Sequence, residues 1–319
     1  MLLLIWYRLE NEEALSRQWA AFKSKFEGEQ YLLMTIIVML APLSWVIESG
    51  KWRYLLLKIQ KLPFFTALAS VLTGMSFALI SPGKSGDFAG RILYLRSNIR
   101  LRGTIASMVG SFAHVLVTFC MAILGFGIVL IHTQDWRIWI FFFIALIAGG
   151  IIGFFYFRLH RYDFRFRKRK NWIGKIWTAL KVLKRYDQRD LISVLGFSLV
   201  KFCLYTTQFV LVTYLFGSEL SFGISFFTAA AMFWMIMVIP SFFIADVVVR
   251  GSVANLLFVS TGIITDSTPI LAGTYIIWLT NWVIPSLVGA LVLLVYRLNQ
   301  SGKKEPELPV ERAEQADSV

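Results

Sequence analysis

Apolar runs of membrane-crossing length alternate with short charged segments along most of the chain. Residues 30–47 form the first run, which ends at Glu48, and 62–82 form the second. Runs at 107–131 and 136–157 are joined by the turn His132–Asp135. A run at 191–216 carries Lys201 near its middle; 222–244, a shorter stretch at 253–264 and a last run at 270–296 follow. A helix needs roughly 20 apolar residues to cross a bilayer, and several of these runs reach that length. The short alternating segments of a β-barrel are missing. The pattern predicts an all-α, polytopic helical membrane protein with its membrane domain at 30–297.

The two ends read differently. Met1–Tyr7 is apolar but too short to span, and it lacks the basic start and small-residue cleavage site of a signal peptide. It reads as part of a helix or as an interfacial anchor. Residues 8–29 mix four Lys/Arg with five Glu and suit an amphipathic surface helix. The tail 298–319, rich in Glu, Pro, Ala and Gln, is expected to be disordered.

Two of the apolar runs are interrupted in the same way. Ser81-Pro82-Gly83-Lys84-Ser85-Gly86-Asp87-Phe88-Ala89-Gly90-Arg91 breaks the first, because Pro82 and Gly83 prevent regular helix from continuing. Pro240-Ser241-Phe242-Phe243-Ile244-Ala245-Asp246-Val247-Val248-Val249-Arg250-Gly251 breaks the second. In each, an acid lies a few residues beyond the proline and an arginine lies four residues beyond the acid. Side chains four apart share a helix face, so Asp87 with Arg91 and Asp246 with Arg250 form two expected pairs. Paired broken segments in corresponding halves of a chain are the pattern of an internally repeated transporter.

Charge supplies the topology. The chain is 57% hydrophobic and 16% charged, with a net charge of +13 and a mean hydropathy of +0.66. The basic residues lie between membrane runs, so they orient the protein and meet anionic lipid headgroups; nucleic acid is excluded as a partner. The stretch 158–190 has twelve Lys/Arg against three Asp and reads as a cytoplasmic loop. That places 132–135 outside and 84–106 inside. Residues 50–61 carry four basic residues and no acid, so they too are expected inside. Run 62–82 must then enter and return on one side. The turns 217–221 and 265–269 lie together outside, so the segment between them returns as well, or crosses twice. Two opposed re-entrant, broken helical hairpins in a pseudo-repeated arrangement are the expectation.

Ionisable residues within membrane segments are costly and mark substrate pathways. The candidate substrate-binding residues are therefore Lys84, Asp87, Arg91, Lys201, Asp246 and Arg250, joined by Ser85 for its place at the first tip. Lys201 is expected to meet a lipid phosphate or to pair with Asp87 or Asp246. Asp87 and Asp246 are expected to hold the arginines or to meet a cationic headgroup. His114 reads as a satisfied buried histidine, and Asn281 as a contact between helices. Gly83-Lys84-Ser85 imitates the end of a phosphate-binding P-loop, but Ala78 stands where that loop needs its first glycine. The backbone N–H groups of Gly83, Ser85 and Gly86 are expected to be available to a lipid phosphate. Cys120 and Cys203 lie in apolar runs, the three histidines lack metal-ligand spacing, and no nucleophile motif occurs. Neither a catalytic group, a metal nor another cofactor is expected.

With these residues in view, residues 42–296 resemble the transmembrane region of lysylphosphatidylglycerol synthases, a flippase-like membrane family. Ser81–Arg91 looks like the family's Pro-x-x-x-Gly-Glu-x-x-Arg-type signature, with Asp87 in the acidic place. The region Trp45–Tyr54 is also similar. Pro240–Gly251 resembles the second signature, Pro followed by Gly-x-Gly-x-Arg-Glu. Ala245 and Val247 stand at its glycine places, and Gly251 stands where Glu is usual. The resemblance implies the translocating half of such enzymes without the half that makes the lipid.

The first expectation for function is thus a multi-pass lipid translocase of a prokaryotic cytoplasmic membrane, carrying a phospholipid or lipid-linked precursor. The alternatives are a membrane-embedded enzyme or accessory subunit acting on a lipid-linked sugar, and a scaffold that docks a cytoplasmic enzyme on the basic loop. A homo-oligomer is compatible with each.

Overall fold

In a computed structural model, the structure describes residues 28–133, 135–159, 172–241 and 243–301. The expectations for 1–27, for the middle of the basic loop at 160–171 and for the tail beyond 301 lie outside the described residues. Helices account for the fold, with no strand among the described residues.

In chain order the helices are α1 (Gly28–Leu56), α2 (Phe64–Ile80), α3 (Gly86–Ile92), α4 (Arg100–His132), α5 (Trp136–Arg158), α6 (Trp172–Leu180), α7 (Gln188–Leu215), α8 (Phe222–Val238), α9 (Phe243–Phe258), α10 (Thr268–Trp278) and α11 (Ile284–Ser301). A π-helical turn, Leu279–Val283, joins the last two into one span. Among the described residues, five segments are long and apolar enough to cross a membrane: α1, α4 with the turn before it, α5, α7 and α10–α11. Exposed Trp, Ile and Phe side chains cover most of α5, as expected of a lipid-facing helix. The chain is a multi-pass membrane protein.

The first span is longer than the apolar run suggests. α1 continues through Glu48, Lys51 and Trp52 to Leu56, and all four are buried. Trp52 is fully enclosed, and its indole N–H donates to Ser70 Oγ on α2 at 3.0 Å. The charged residues that mark a span's end in the sequence therefore belong to its interior here.

The ends of the bundle follow from contacts. Arg185 donates to the Lys58 carbonyl at 2.8 Å, Lys58 pairs with Asp190 at 3.1 Å, and the Tyr54 hydroxyl reaches Asp190 at 2.9 Å. These contacts bring the end of α1 and the start of α7 together at one basic end. There the Asp190 carboxylate raises the Lys58 ammonium above the ordinary lysine value. The short link after α1 starts α2 from the same end. By contrast, α7 runs to the far end, and the turn at Gly217–Ser221 starts α8 from there.

Both broken runs fold as helical hairpins, and they enter the bundle from opposite ends. α2 stops at Ile80; Pro82–Lys84 makes a single 3₁₀ turn, and α3 packs back along α2. Gly74 and Gly90 set this close approach: a methyl on Gly90 would lie 2.6 Å from Gly74 Cα. α8 stops at Val238 before Pro240, and α9 returns against it. The returning arms are unequal, seven residues in α3 and sixteen in α9. The stretch read as one basic loop, 84–106, divides. Asp87 and Arg91 lie in the packed interior with α3, and only the residues around Arg96–Arg102 reach the start of α4.

Apolar packing holds the two halves separately. Around the basic end, Trp52, Leu55, Val71, Tyr156 and Tyr186 form one buried cluster. Towards the far end, Phe126, Phe209, Trp234 and Phe258 form another, with Trp234 edge-on to Phe126 at 5.4 Å. The charged residues of the hairpins sit between the helices that carry these clusters.

Candidate functional site

Glu48 on α1 is the hub of the first cluster. Its Oε2 accepts from Lys51 Nζ at 2.9 Å and from Lys201 Nζ at 2.8 Å. Its Oε1 accepts from Arg91 Nη1 at 3.0 Å, and Arg91 Nε in turn donates to Asp87 at 2.8 Å. Thus α1, α3 and α7 are tied by one carboxylate. Lys51 Nζ also reaches Ser198 Oγ on α7, at 3.5 Å. Arg91 is 8% exposed and Glu48 4%; at that burial an ionic group is tolerable only when every charge has a partner.

The backbone of α3 is fixed by the same neighbours. Ser70 Oγ, which accepts from Trp52, donates to the Arg91 carbonyl at 2.8 Å. Thr73 Oγ1 and the Tyr94 hydroxyl share a 3.0 Å bond one turn further along. Such interhelical polar bonds are worth on average about 0.6 kcal/mol each in a membrane. Their larger effect is to leave the Arg91 side chain a single direction.

The second cluster gathers at the tips. Arg250 Nε donates to Asp246 Oδ2 at 2.8 Å, and Ser241 Oγ donates to Asp246 Oδ1 at 2.9 Å. Arg250 is 2% exposed, and Tyr205 of α7 presents its hydroxyl to it. Lys84 belongs to this cluster although its sequence places it in the other hairpin. Its Nζ lies 3.9 Å from the centroid of the Trp282 ring, a cation–π contact. Lys84 adopts φ 60°, beside Gly83 at φ 59°. The left-handed region costs a side-chain-bearing residue roughly 1 kcal/mol, so the tip is held in a form its own backbone disfavours. A small pocket separates the tips, lined by Ser81 and Lys84 from one, by Ser241 and Asp246 from the other, and by Trp278 and Trp282.

The π-helical turn shapes this pocket. By adding a residue to one turn it brings Trp282 over Lys84 while Asn281 faces the bundle. Asn281 Nδ2 donates to Gln208 Oε1 at 2.8 Å and its Oδ1 accepts from Ser44 Oγ at 3.2 Å. Gln208 Nε2 continues the chain to the Ile37 carbonyl at 2.8 Å. Asn281 is thus a contact between helices, as its sequence setting suggests.

The structure redistributes several expected roles. Both i,i+4 acid–arginine pairs are formed, but each belongs to a wider cluster. Lys201 pairs with Glu48, not with Asp87 or Asp246, because α7 passes α1 at that depth. Ser85 is exposed and turns away: its hydroxyl donates to the Pro82 carbonyl at 3.0 Å. The backbone groups of the tip are largely occupied too, since Ser85 N–H reaches the Pro82 carbonyl and Gly86 N–H reaches Ser81 Oγ. Asp87 and Asp246, expected to hold the arginines or to meet a cationic headgroup, are held by Arg91 and by Arg250 with Ser241. His114 is not satisfied: its Nδ1 is buried without a hydrogen-bond partner. Among the described residues no three His, Cys, Asp or Glu side chains gather as a metal site.

Glu48, Lys51, Tyr205 and Trp282 were not legible as site residues. The signal available for the first two was their i,i+3 spacing, which allows an ion pair within one helix rather than a span's end.

Residues 1–298 match the family described as the lysylphosphatidylglycerol synthase TM region. No curated protein and no solved structure matches the chain.

Proposed function

We propose that this chain, which belongs to the lysylphosphatidylglycerol synthase transmembrane-region family, moves a lipid between the leaflets of a prokaryotic cytoplasmic membrane. The observation that carries this reading is the meeting of two charged hairpin tips, entering from opposite ends, at one pocket. Neither α2 nor α8 has the length of the five candidate spans, so each hairpin is read as entering the membrane and returning. A headgroup admitted at one end would meet Arg91 beside Glu48, then Lys84 and Arg250 at the tips. A guanidinium fork matches phosphate oxygens, which suits Arg91 and Arg250 to successive hold points. The acyl chains would stay in the bilayer throughout. Rocking of one hairpin against the other would expose the pocket to each side in turn.

In this reading the basic end faces the cytoplasm. α6 has a strongly one-sided apolar pattern and packs against α4 at that end, where Lys175 and Lys181 suit an anionic leaflet surface. Single cysteines at Lys58, Arg100 and Lys175, in a protein lacking Cys120 and Cys203, should resist an impermeant thiol reagent in intact cells. Labelling at position 58 alone would remove the re-entrant topology of α2–α3.

Translocation itself is tested with purified protein in liposomes. Loss of outer-leaflet headgroups to the inner leaflet should run well above the rate in protein-free vesicles. Rates no higher than in protein-free vesicles for every lipid offered would favour the scaffold reading, in which the basic loop docks a soluble enzyme.

A further inference from the structure

We infer that Lys84 and Trp282 form an exchange pair at the hairpin tips: Lys84 covers the indole face in this structure and leaves it for a phosphate oxygen of a glycerophospholipid. The inference rests on the translocase reading and says how its tip pocket takes hold of cargo. The Lys84 ammonium lies 3.9 Å from the centroid of the ring. An aromatic face attracts a cation through its quadrupole, but it offers no lone pair to the three N–H groups. Among the described residues, the ammonium has no carboxylate within ion-pair distance and donates no hydrogen bond to an oxygen. It borders the pocket, so an anionic oxygen entering there would give it the charge-assisted hydrogen bonds that the ring cannot.

The hydroxyls and the carboxylate that line the pocket are already engaged. Ser81 Oγ donates to the Ala78 carbonyl at 3.3 Å and accepts from the Gly86 N–H at 2.7 Å. Asp246 holds Ser241 on one oxygen and Arg250 on the other. Arg250 thus neutralises Asp246, and the unmatched charge at the tips is the single one on Lys84. One phosphate matches it.

The two members of the pair differ in freedom. Trp282 sits in the π-helical turn beside Asn281, which Gln208 and Ser44 pin, and the Tyr205 hydroxyl faces its side chain. The ring is therefore the fixed member. Lys84 follows Gly83, on which a methyl would meet nothing within 4 Å. Its own φ of 60° is a conformation that side-chain-bearing residues disfavour. Leaving the ring lets the tip relax from that backbone. The phosphate is common to glycerophospholipids with or without an amino acid on the headgroup, so this grip does not depend on what the phosphate carries.

The test uses the purified full chain in neutral detergent, with its tryptophans replaced by 5-fluorotryptophan. The Trp282 fluorine resonance is the one that Trp282→Phe removes, and Lys84→Met gives its position with no cation over the ring. Titrating phosphatidylglycerol into wild type is expected to move the resonance towards that position and to leave it unmoved in Lys84→Met. Diacylglycerol, which has no phosphate, should move it in neither protein. Affinity for phosphatidylglycerol, read by native mass spectrometry, should fall about tenfold in Lys84→Met, which corresponds to ~1.4 kcal/mol, while Lys84→Arg keeps both the affinity and the shift. Thermal unfolding shows whether the variants fold, and the wild-type titration alone detects a resonance that does not move.

Phosphatidylglycerol bound with a still Trp282 resonance, or an equal shift in Lys84→Met, overturns the exchange. Inorganic phosphate producing the same shift at the same concentration assigns the site to a soluble anion and overturns the lipid part of the inference. A moving resonance in a protein that carries no lipid across would defeat the translocase reading and leave the exchange standing. Transport with a still resonance would do the opposite.

Discussion

Replacing Glu48 with Gln is expected to destabilise the folded protein by about 3–5 kcal/mol, the cost of removing one partner from a buried ionic group, and to abolish translocation. The amide keeps the shape of the side chain and removes its charge. Lys51, Lys201 and Arg91, all within 3.0 Å of the carboxylate, would then lose their shared counter-charge inside the bundle. Arg91 would keep only Asp87, and the tie from α1 to α3 and α7 would weaken. Lys201→Met should cost less, because Lys201 is the more exposed partner, with its side chain 22% accessible. Combining the two changes should recover part of the stability lost by Glu48→Gln, since it removes one of the stranded cations. Residues that share a network couple by about 0.5–3 kcal/mol, so thermal unfolding of the two single variants and the double variant resolves the effect. Strict additivity, or a Glu48→Gln protein as stable as wild type, would take Glu48 out of the centre of the site.

The sequence reveals the hairpin tips because their signals are local. Pro82 and Pro240 end helices wherever they occur in an apolar run, and spacing of four places Asp87 with Arg91 and Asp246 with Arg250 on one face whatever surrounds them. The membrane class is legible for a similar reason, since run length alone decides it. Glu48 is different. A charge at the end of an apolar run ordinarily marks the membrane surface, and only the packing of α2, α3 and α7 around it shows that the buried helix continues to Leu56. Lys201 was found as an intramembrane cation, but its partner is 153 residues away, and no spacing rule reaches that far. Lys84 was found as well, yet its place opposite Trp282 depends on a π-helical turn whose extra residue leaves no mark in the hydrophobic pattern. Ser85 lies at the tip its sequence indicates, but a single 3₁₀ turn points its side chain outward.

Arg91 and Arg250 carry the second large effect. Each is nearly enclosed, each is held by its own carboxylate, and each lies in a different hairpin. If a headgroup passes from one to the other, losing either interrupts the whole path. Arg91→Gln and Arg250→Gln should then each lower the rate by about a hundredfold, as expected when roughly 2.7 kcal/mol of charge-assisted binding is removed at an obligatory step. Binding and transport should separate. The Arg250→Gln protein retains the Glu48 cluster and should still bind lipid there, without carrying it across.

The most direct measurement is the rate of headgroup translocation in proteoliposomes containing wild type, Arg91→Gln, Arg250→Gln or the double variant, each shown to be folded and equally incorporated. Two arginines on one pathway predict that either single change removes most of the transport and that the double change adds little to it. Near-normal transport by both folded single variants, or a double variant whose loss is the full product of the two, would contradict a shared path through the two tips.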